Sequence, residues 1–117
     1  MAQQEIILGT INIASLVKAY ETFARFKAFE FTFEQAWKTL KKVLVHKGLE
    51  CGSPRDTFRV AAVDGLIINP TKWFVYLEKR NLTSHTYNQE IVDLIVACFD
   101  DFGRDVESIL TALRAQK

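Results

Sequence analysis

A short polar stretch, EKRNLTSHTY (Glu78 to Tyr87), contains an arginine, a histidine and a tyrosine close together. Arg80 brings a guanidinium that stays protonated, His85 brings an imidazole that titrates near neutral pH, and Tyr87 brings a phenol. A fixed cation stabilises charge on phosphoryl oxygens and an imidazole can move a proton, so this pair suits chemistry on a phosphodiester. The alternative is structural, because an arginine and a histidine at a helix end often only cap carbonyl groups or form ion pairs.

The helix that precedes this stretch controls where Arg80 points. Arg80 follows Trp73 by seven residues, so both side chains fall on nearly the same face of a helix, and Arg80 is directed toward packed surface. A guanidinium in that position needs an acceptor, either a carboxylate such as Glu30 or Glu34 or a phosphate. The two glutamates are therefore predicted to support Arg80.

A break in the helix is needed if Arg80 and His85 are to act together. Five residues along one unbroken helix rotate a side chain by roughly 140°, so the two would diverge. The intervening Asn81 and Ser84 belong to residue types that favour caps and turns. We therefore predict that the helix ends in this segment, that Arg80 and His85 face one cleft, and that Asn81 and Ser84 support the site.

Hydrophobic spacing predicts helices along the whole chain and no strand. Apolar residues recur at helical spacing between the two prolines and five glycines of the sequence. Ser53 and Asn69, each followed by proline, are predicted N-caps, and Gly48 and Gly65 are predicted helix ends. The predicted helices cover residues 10–25, 27–46, 53–65, 69–80 and 88 onward. The sequence thus predicts one all-α domain over residues 1–117, an antiparallel, up-and-down bundle of four main helices with one additional short helix.

Composition and charge argue against several functional classes. The chain has 117 residues, of which 49% are hydrophobic and 25% charged, and its formal net charge is +1, so no global basic field favours non-specific nucleic-acid binding. The apolar run EIILG is too short to span a bilayer and lacks a basic flank, which predicts a cytoplasmic protein that does not enter membranes. Cys51 and Cys98 stand alone without clustered histidines, so we predict neither a metal site nor a bound cofactor.

Two surface features of the second predicted helix have competing interpretations. Phe31 lies about half a turn from the apolar stripe that contains Phe29 and Phe33. It either packs under another helix or lies in a subunit interface, and we favour the interface. The basic run KTLKK (residues 38–42) is typical of a solvated helical face rather than of an RNA-binding patch.

The chain resembles a known family in four segments, which are RFKAFEFTFEQAWKTLKKVL (25–44), SPRDTFRVA (53–61), GLI (65–67) and RNLTSHTYNQE (80–90). In order and spacing these segments are similar to the nucleotidyltransferase substrate-binding protein family of the HEPN superfamily. The combination of FEFTFE-x-x-W-K with RN-x-x-x-H carries the resemblance. One departure is Lys79, because an acidic residue often precedes the arginine in such proteins.

This resemblance implies a HEPN-like helical bundle that forms a homodimer and works with a separately encoded minimal nucleotidyltransferase. Members of the superfamily carry an Arg-x(4–6)-His motif with a polar residue after the arginine, and Arg80, Asn81 and His85 match it. In related HepT-type toxins, two copies of the motif face one another across the dimer and cleave RNA without a metal ion. In some of these pairs the nucleotidyltransferase adenylylates a tyrosine two residues after the histidine, which is the position of Tyr87.

Two functions therefore remain open. In the first, the chain is a binding module that binds a nucleotide (ATP or AMP) or presents Tyr87 for adenylylation by the nucleotidyltransferase, in a system of the toxin–antitoxin kind. In the second, it is a metal-independent endoribonuclease toxin that uses Arg80 and His85 across a homodimer. The chain contains no nucleotidyltransferase signature of its own, so that activity is expected in the partner.

Overall fold

Helices make up most of the computed structural model, which describes residues 7–85 and 88–116. A hairpin of two short antiparallel strands, Ile7–Leu8 (β1) and Ile11–Asn12 (β2), precedes the helices. The α-helices are α1 (Ala14–His46), α2 (Pro54–Val63), α3 (Pro70–Leu82), α4 (Gln89–Val96) and α5 (Phe99–Arg114), and a 3₁₀ turn, Thr83–His85, follows α3. The helical fold class predicted from the sequence is confirmed. Across the described ranges, no helix is both long and apolar enough to cross a membrane.

Capping side chains set the starts of α2, α3 and α4. Ser53 accepts a hydrogen bond from the backbone N–H of Asp56 at 3.2 Å, and Asn69 accepts one from the N–H of Thr71 at 3.0 Å. Asn88 accepts a bond of 2.7 Å from the N–H two residues ahead. Proline begins both α2 and α3, where its missing N–H is harmless because first-turn N–H groups have no acceptor within the helix. These three starts agree with the sequence prediction.

An aromatic cluster forms the centre of the core and joins four helices. Trp73 of α3 is 2% exposed, and its ring centroid lies 5.3 Å from that of Phe58 in α2 and 5.7 Å from that of Phe102 in α5. Phe33 of α1 packs 5.9 Å from Phe58. Aromatic pairs at such distances contribute about 0.5–1.5 kcal/mol each beyond the burial of their surface. The cluster therefore fixes the rotation of α3 against α1.

Tyr76 connects this cluster to a charged pair at its edge. The Tyr76 hydroxyl donates a hydrogen bond to Asp105, which also forms an ion pair with Lys72 at 3.0 Å. Burial, followed by the hydrogen bond and the negative charge of Asp105, raises the pKa of Tyr76 well above its ordinary value. Tyr76 therefore stays a neutral hydrogen-bond donor and holds α3 to α5.

The first two predicted helices are one continuous helix in the structure. No proline or glycine separates them, and α1 runs unbroken through both. The two halves carry their apolar stripes on different faces, since Leu16 and Tyr20 are 71% and 69% exposed whereas Phe29 and Phe33 are buried. The predicted start at Thr10 is also wrong, because Thr10 lies in the turn of the hairpin, which the sequence analysis did not predict.

The last predicted helix is interrupted and forms α4 and α5. At the interruption the N–H of Cys98 donates to the carbonyl of Ile95 at 3.1 Å, a tighter turn than that of an α-helix. Neither glycine nor proline marks this position, and Phe99 directly after it packs 5.1 Å from Phe29. Tertiary packing therefore sets the interruption, while Gly103 lies within an uninterrupted α5.

Candidate functional site

The end of α3 and the 3₁₀ turn carry the residues predicted to act together. Arg80 lies in the last turn of α3, and His85 is the final residue of the 3₁₀ turn that follows. The α-helix thus ends between Arg80 and His85, in the segment where cap-favouring side chains predicted a break. The 3₁₀ turn winds more tightly than an α-helix, so the side chain of His85 leaves the direction that a continued α3 would have given it.

Arg80 lies beside two carboxylates of α1. Its Nη1 is 3.9 Å from Oε2 of Glu30, and its Nε is 3.9 Å from Oε2 of Glu34. Both distances exceed the roughly 2.7–2.9 Å of a charge-assisted hydrogen bond. The Nε atom is buried and has no hydrogen-bond partner within the described part of the chain. The guanidinium is therefore incompletely hydrogen-bonded, and an incoming phosphate could use those of its N–H groups that lie on the exposed third of the side chain.

Two lysines of α1 share these glutamates. Lys27 Nζ lies 3.8 Å from Oε1 of Glu30, and Lys38 Nζ lies 3.5 Å from Oε1 of Glu34. Arg80, the two lysines and the two glutamates form a row, which we call the Arg80 row, with one positive charge in excess. All five side chains are partly exposed, so each ion pair contributes only about 0–1 kcal/mol to stability. Its excess positive charge suits the row to an anionic ligand.

Thr83 is a residue of the site that the sequence analysis did not single out. It is 9% exposed, and its hydroxyl oxygen lies 2.5 Å from Oε2 of Glu30 and 2.7 Å from the carbonyl oxygen of Arg80. A hydroxyl has one hydrogen, so Thr83 donates to one of these acceptors at a time. Thr83 follows Arg80 by three residues, and this spacing, which puts both on one side of a helical turn, was the available signal.

The other predicted residues lie at the surface around the Arg80 row. Asn81, Ser84 and His85 are exposed, and the Ser84 hydroxyl donates to the carbonyl oxygen of Asn81 at 3.2 Å. This hydrogen bond stabilises the backbone of the turn. Tyr87, the predicted adenylylation site, lies outside the described residues. The functional roles of all these residues belong to the proposals below.

A cavity of about 700 Å³ opens beside the Arg80 row. It lies between the N-terminal half of α1 and the side chains of Thr83, Gln89 and Val92, and its walls also include Phe23, Lys27 and Glu30. An aromatic ring, a lysine and a carboxylate that share one cavity suit a small ligand with a flat apolar part and charged groups. Throughout the part of the chain described, no three His, Cys, Asp or Glu side chains are grouped as metal ligands.

Comparison with known proteins defines the class to which this helical protein belongs. Residues 12–115 match the family described as nucleotidyltransferase substrate binding protein like, and the chain is therefore a member of this family. Over 91 residues it is 35% identical to a Haemophilus influenzae protein named "Probable ribonuclease HepT". The alignment covers 74% of the present chain and 62% of the length of that relative. The family resemblance drawn from the four sequence segments is confirmed.

The buried hydroxyl of Thr83 provides a test of how the site is held together. Thr83→Val keeps the shape of the side chain but removes the hydrogen bond to Glu30, and we expect it to lower the free energy of unfolding by about 1–2 kcal/mol. Ser84→Ala removes the neighbouring, exposed hydroxyl and should change it by less than about 0.5 kcal/mol. Urea unfolding of both variants checks this, and equal losses would contradict the role given to Thr83.

Proposed function

We propose that this protein is the HEPN-type partner of a separately encoded minimal nucleotidyltransferase and that it presents Tyr87 for adenylylation. Membership of the nucleotidyltransferase substrate binding protein like family is the observation that carries this proposal. The exposure of His85 and Asn88, the nearest described residues on either side of Tyr87, supports it. In this proposal the chain is a single HEPN-like bundle in which the segment after α3 is the surface offered to the partner.

The chemistry of a phenol assigns the activating groups to the partner. A tyrosine hydroxyl has a pKa near 10, so it is neutral at pH 7 and a weak nucleophile until a base takes its proton. In the proposed step the Tyr87 oxygen bonds to the α-phosphorus of ATP, the bond to the β-phosphate oxygen breaks, and pyrophosphate leaves. The nucleotidyltransferase supplies the base and the metal ion. The transferred phosphate would then lie seven residues beyond Arg80, whose partly exposed guanidinium could pair with it.

Adenylylation of Tyr87 predicts a change in intact mass. After incubation with the nucleotidyltransferase, ATP and Mg²⁺, we expect the protein to gain one or more AMP units, because the phenol oxygen forms a phosphodiester. The Tyr87→Phe variant should gain none. Tyr20→Phe removes another tyrosine, which is 69% exposed on α1, and should gain as much as the wild type. An adduct that survives Tyr87→Phe, or no adduct with a demonstrably active enzyme, would remove Tyr87 as the acceptor.

A second function, metal-independent cleavage of RNA, is favoured by the Arg80 row and by the name of the Haemophilus relative. In this mechanism His85 takes the proton of a ribose 2′-hydroxyl, and the 2′ oxygen attacks the adjacent phosphorus. The bond to the 5′ oxygen breaks, leaving a 2′,3′-cyclic phosphate and a 5′-hydroxyl. Arg80 stabilises the negative charge on the phosphoryl oxygens. The leaving oxygen needs a proton, and the histidine of a second copy across a dimer could provide it.

Loss of the imidazole separates the catalytic role of His85 from a structural one. We expect His85→Ala to lower the rate of RNA cleavage by about 10²–10⁴-fold, the contribution of one general acid or base. Because His85 is exposed at a helix end, its removal should change stability by no more than about 1 kcal/mol. Cleavage is followed by the appearance of 2′,3′-cyclic phosphate ends and stability by urea unfolding. Equal rates for the wild type and His85→Ala would exclude the catalytic role.

The ribonuclease mechanism requires a homodimer, and α1 offers a surface for one. Leu16, Tyr20, Phe23 and Phe31 recur at three-, four- and eight-residue steps and are each 57–71% exposed. At 3.6 residues per turn these four side chains fall within about 80° of one another, so they form one apolar stripe. Lys27 lies between Phe23 and Phe31 on this face, with its Nζ 5.8 Å from the centre of the Phe23 ring. The exposed apolar side chains on either side of this lysine are of the kind that marks interaction sites. We propose that the stripe is buried against a second copy of the chain.

A charge placed in the stripe tests the homodimer. We expect the wild type to be a dimer at micromolar concentration and Phe31→Glu to be a folded monomer, because a carboxylate is costly to bury without a partner. Ile68→Glu is the matched control, since Ile68 is also apolar and 93% exposed but lies outside the stripe. Light scattering gives the mass and circular dichroism the fold. A monomeric wild type would remove the two-histidine mechanism.

A further inference from the structure

The C-terminal turns of α1 form an open basic surface next to the Arg80 row. The run WKTLKKVLVHK (residues 37–47) contains four lysines and one histidine and no acidic residue. Its side chains line a cavity of about 560 Å³ and an adjoining cavity of about 420 Å³, and Lys42 and His46 belong to both. We call this the basic surface, and its members are Trp37, Lys38, Lys41, Lys42, His46 and Lys47.

Trp37 gives the basic surface an aromatic wall. Its indole is half-buried and packs against the core on one side. Lys41 Nζ lies 5.9 Å from the centre of the ring, and the same ammonium donates to the carbonyl oxygen of Gly52 at 3.2 Å. The indole is thus held in place by the core while part of it lines the larger cavity. A fixed aromatic side chain among lysines can stack on an unpaired base while the ammonium groups bind phosphates.

The basic surface is continuous with the Arg80 row. Lys38 belongs to both, because it lines the larger cavity and forms an ion pair with Glu34, whose other oxygen is 3.9 Å from Arg80. From Lys38 to His46 the helix rises by about 12 Å, and side chains three and four residues apart lie about 5–6 Å from one another. Lys38 and Lys42 therefore extend the positive charge from Arg80 along α1, while Lys47 at the far end is paired with Asp64 at 2.7 Å.

We propose that the basic surface binds single-stranded RNA and leads the strand to Arg80 and His85. This inference rests on the ribonuclease function proposed above, for which it names the substrate path. Lysines alone would fit an acidic protein surface as well, but an exposed site that combines lysines with a fixed tryptophan ring matches a base and its phosphates. As a sequence, the basic run is typical of a solvated helical face. The folded chain adds the two cavities, the fixed indole and the link through Glu34 to Arg80, and these features distinguish the basic surface from such a face.

Binding of uncleaved RNA tests the basic surface separately from catalysis. The probe is a fluorescein-labelled, unstructured oligoribonucleotide, and every variant carries His85→Ala so that the probe stays intact. We expect Lys38→Ala/Lys42→Ala to raise the Kd about tenfold and to reduce the slope of log K against log salt by about 1.4, which is about 0.7 for each of two lost phosphate contacts. Arg59→Ala/Arg104→Ala removes two exposed charges elsewhere, each paired with an aspartate, and should leave both quantities unchanged.

Three comparisons decide the outcome. The proposal is supported if the protein binds the single strand more tightly than its duplex and if Trp37→Leu abolishes this preference. The reason is that only an unpaired base can stack on the indole. The proposal is overturned if Lys38→Ala/Lys42→Ala binds RNA as tightly as its control. It is also overturned if the two lysines are needed to bind the nucleotidyltransferase but not to bind RNA. If RNA binding requires the lysines but no cleavage depends on His85, the ribonuclease function alone is refuted. If cleavage proceeds equally well without the lysines, the basic surface alone is refuted.

Discussion

The packing of Trp73 among the aromatic rings of the core is the interaction on which the candidate site depends. Trp73 contacts Phe58 and Phe102 at centroid distances of 5.3 and 5.7 Å, so the face of α3 that bears it cannot rotate without opening the core. Arg80 lies seven residues further along the same face and is consequently directed at α1. Burial of the core thus positions a cation whose own ion pairs, at 3.9 Å, are too loose to fix it.

The Arg80 row combines partial burial with incomplete hydrogen bonding, and this combination distinguishes it from an ordinary surface ion pair. A guanidinium with an unbonded, buried Nε has a desolvation cost that its two glutamates only partly offset. A phosphate could restore the missing hydrogen bonds and would also meet the excess positive charge of the row. The Thr83 hydroxyl holds Glu30 at the same time, so the carboxylate can remain in place when the guanidinium changes partner.

How much the sequence predicted depends on whether a feature was local. The caps at Ser53, Asn69 and Asn88 are short-range hydrogen bonds between neighbouring residues. The first two were predicted as caps, and a helix start was predicted near the third. The approach of Glu30 and Glu34 to Arg80 was also expected, since a half-buried guanidinium needs acceptors. The unity of α1 was missed because its apolar stripe changes face although no glycine or proline separates the two halves. The interruption between α4 and α5 was missed because tertiary packing, rather than glycine or proline, sets it. Thr83 was missed because burial of its hydroxyl depends on how α3 meets α1.

The single helix α1 carries the apolar stripe, Glu34 of the Arg80 row and the basic surface. Because the helix is stiff, it fixes the distances between them. The apolar stripe ends at Phe31, Glu34 follows one turn later, and the basic surface begins at Trp37, so these three features of α1 lie within about 9 Å along the axis. A second copy that covers Phe31 must therefore approach the Arg80 row. It would narrow the opening above Glu34 and exclude water from one side of Arg80, and lower local polarity strengthens the interaction of a guanidinium with a phosphate. Dimerisation and substrate binding are accordingly expected to reinforce one another, since both act through the same two turns of α1.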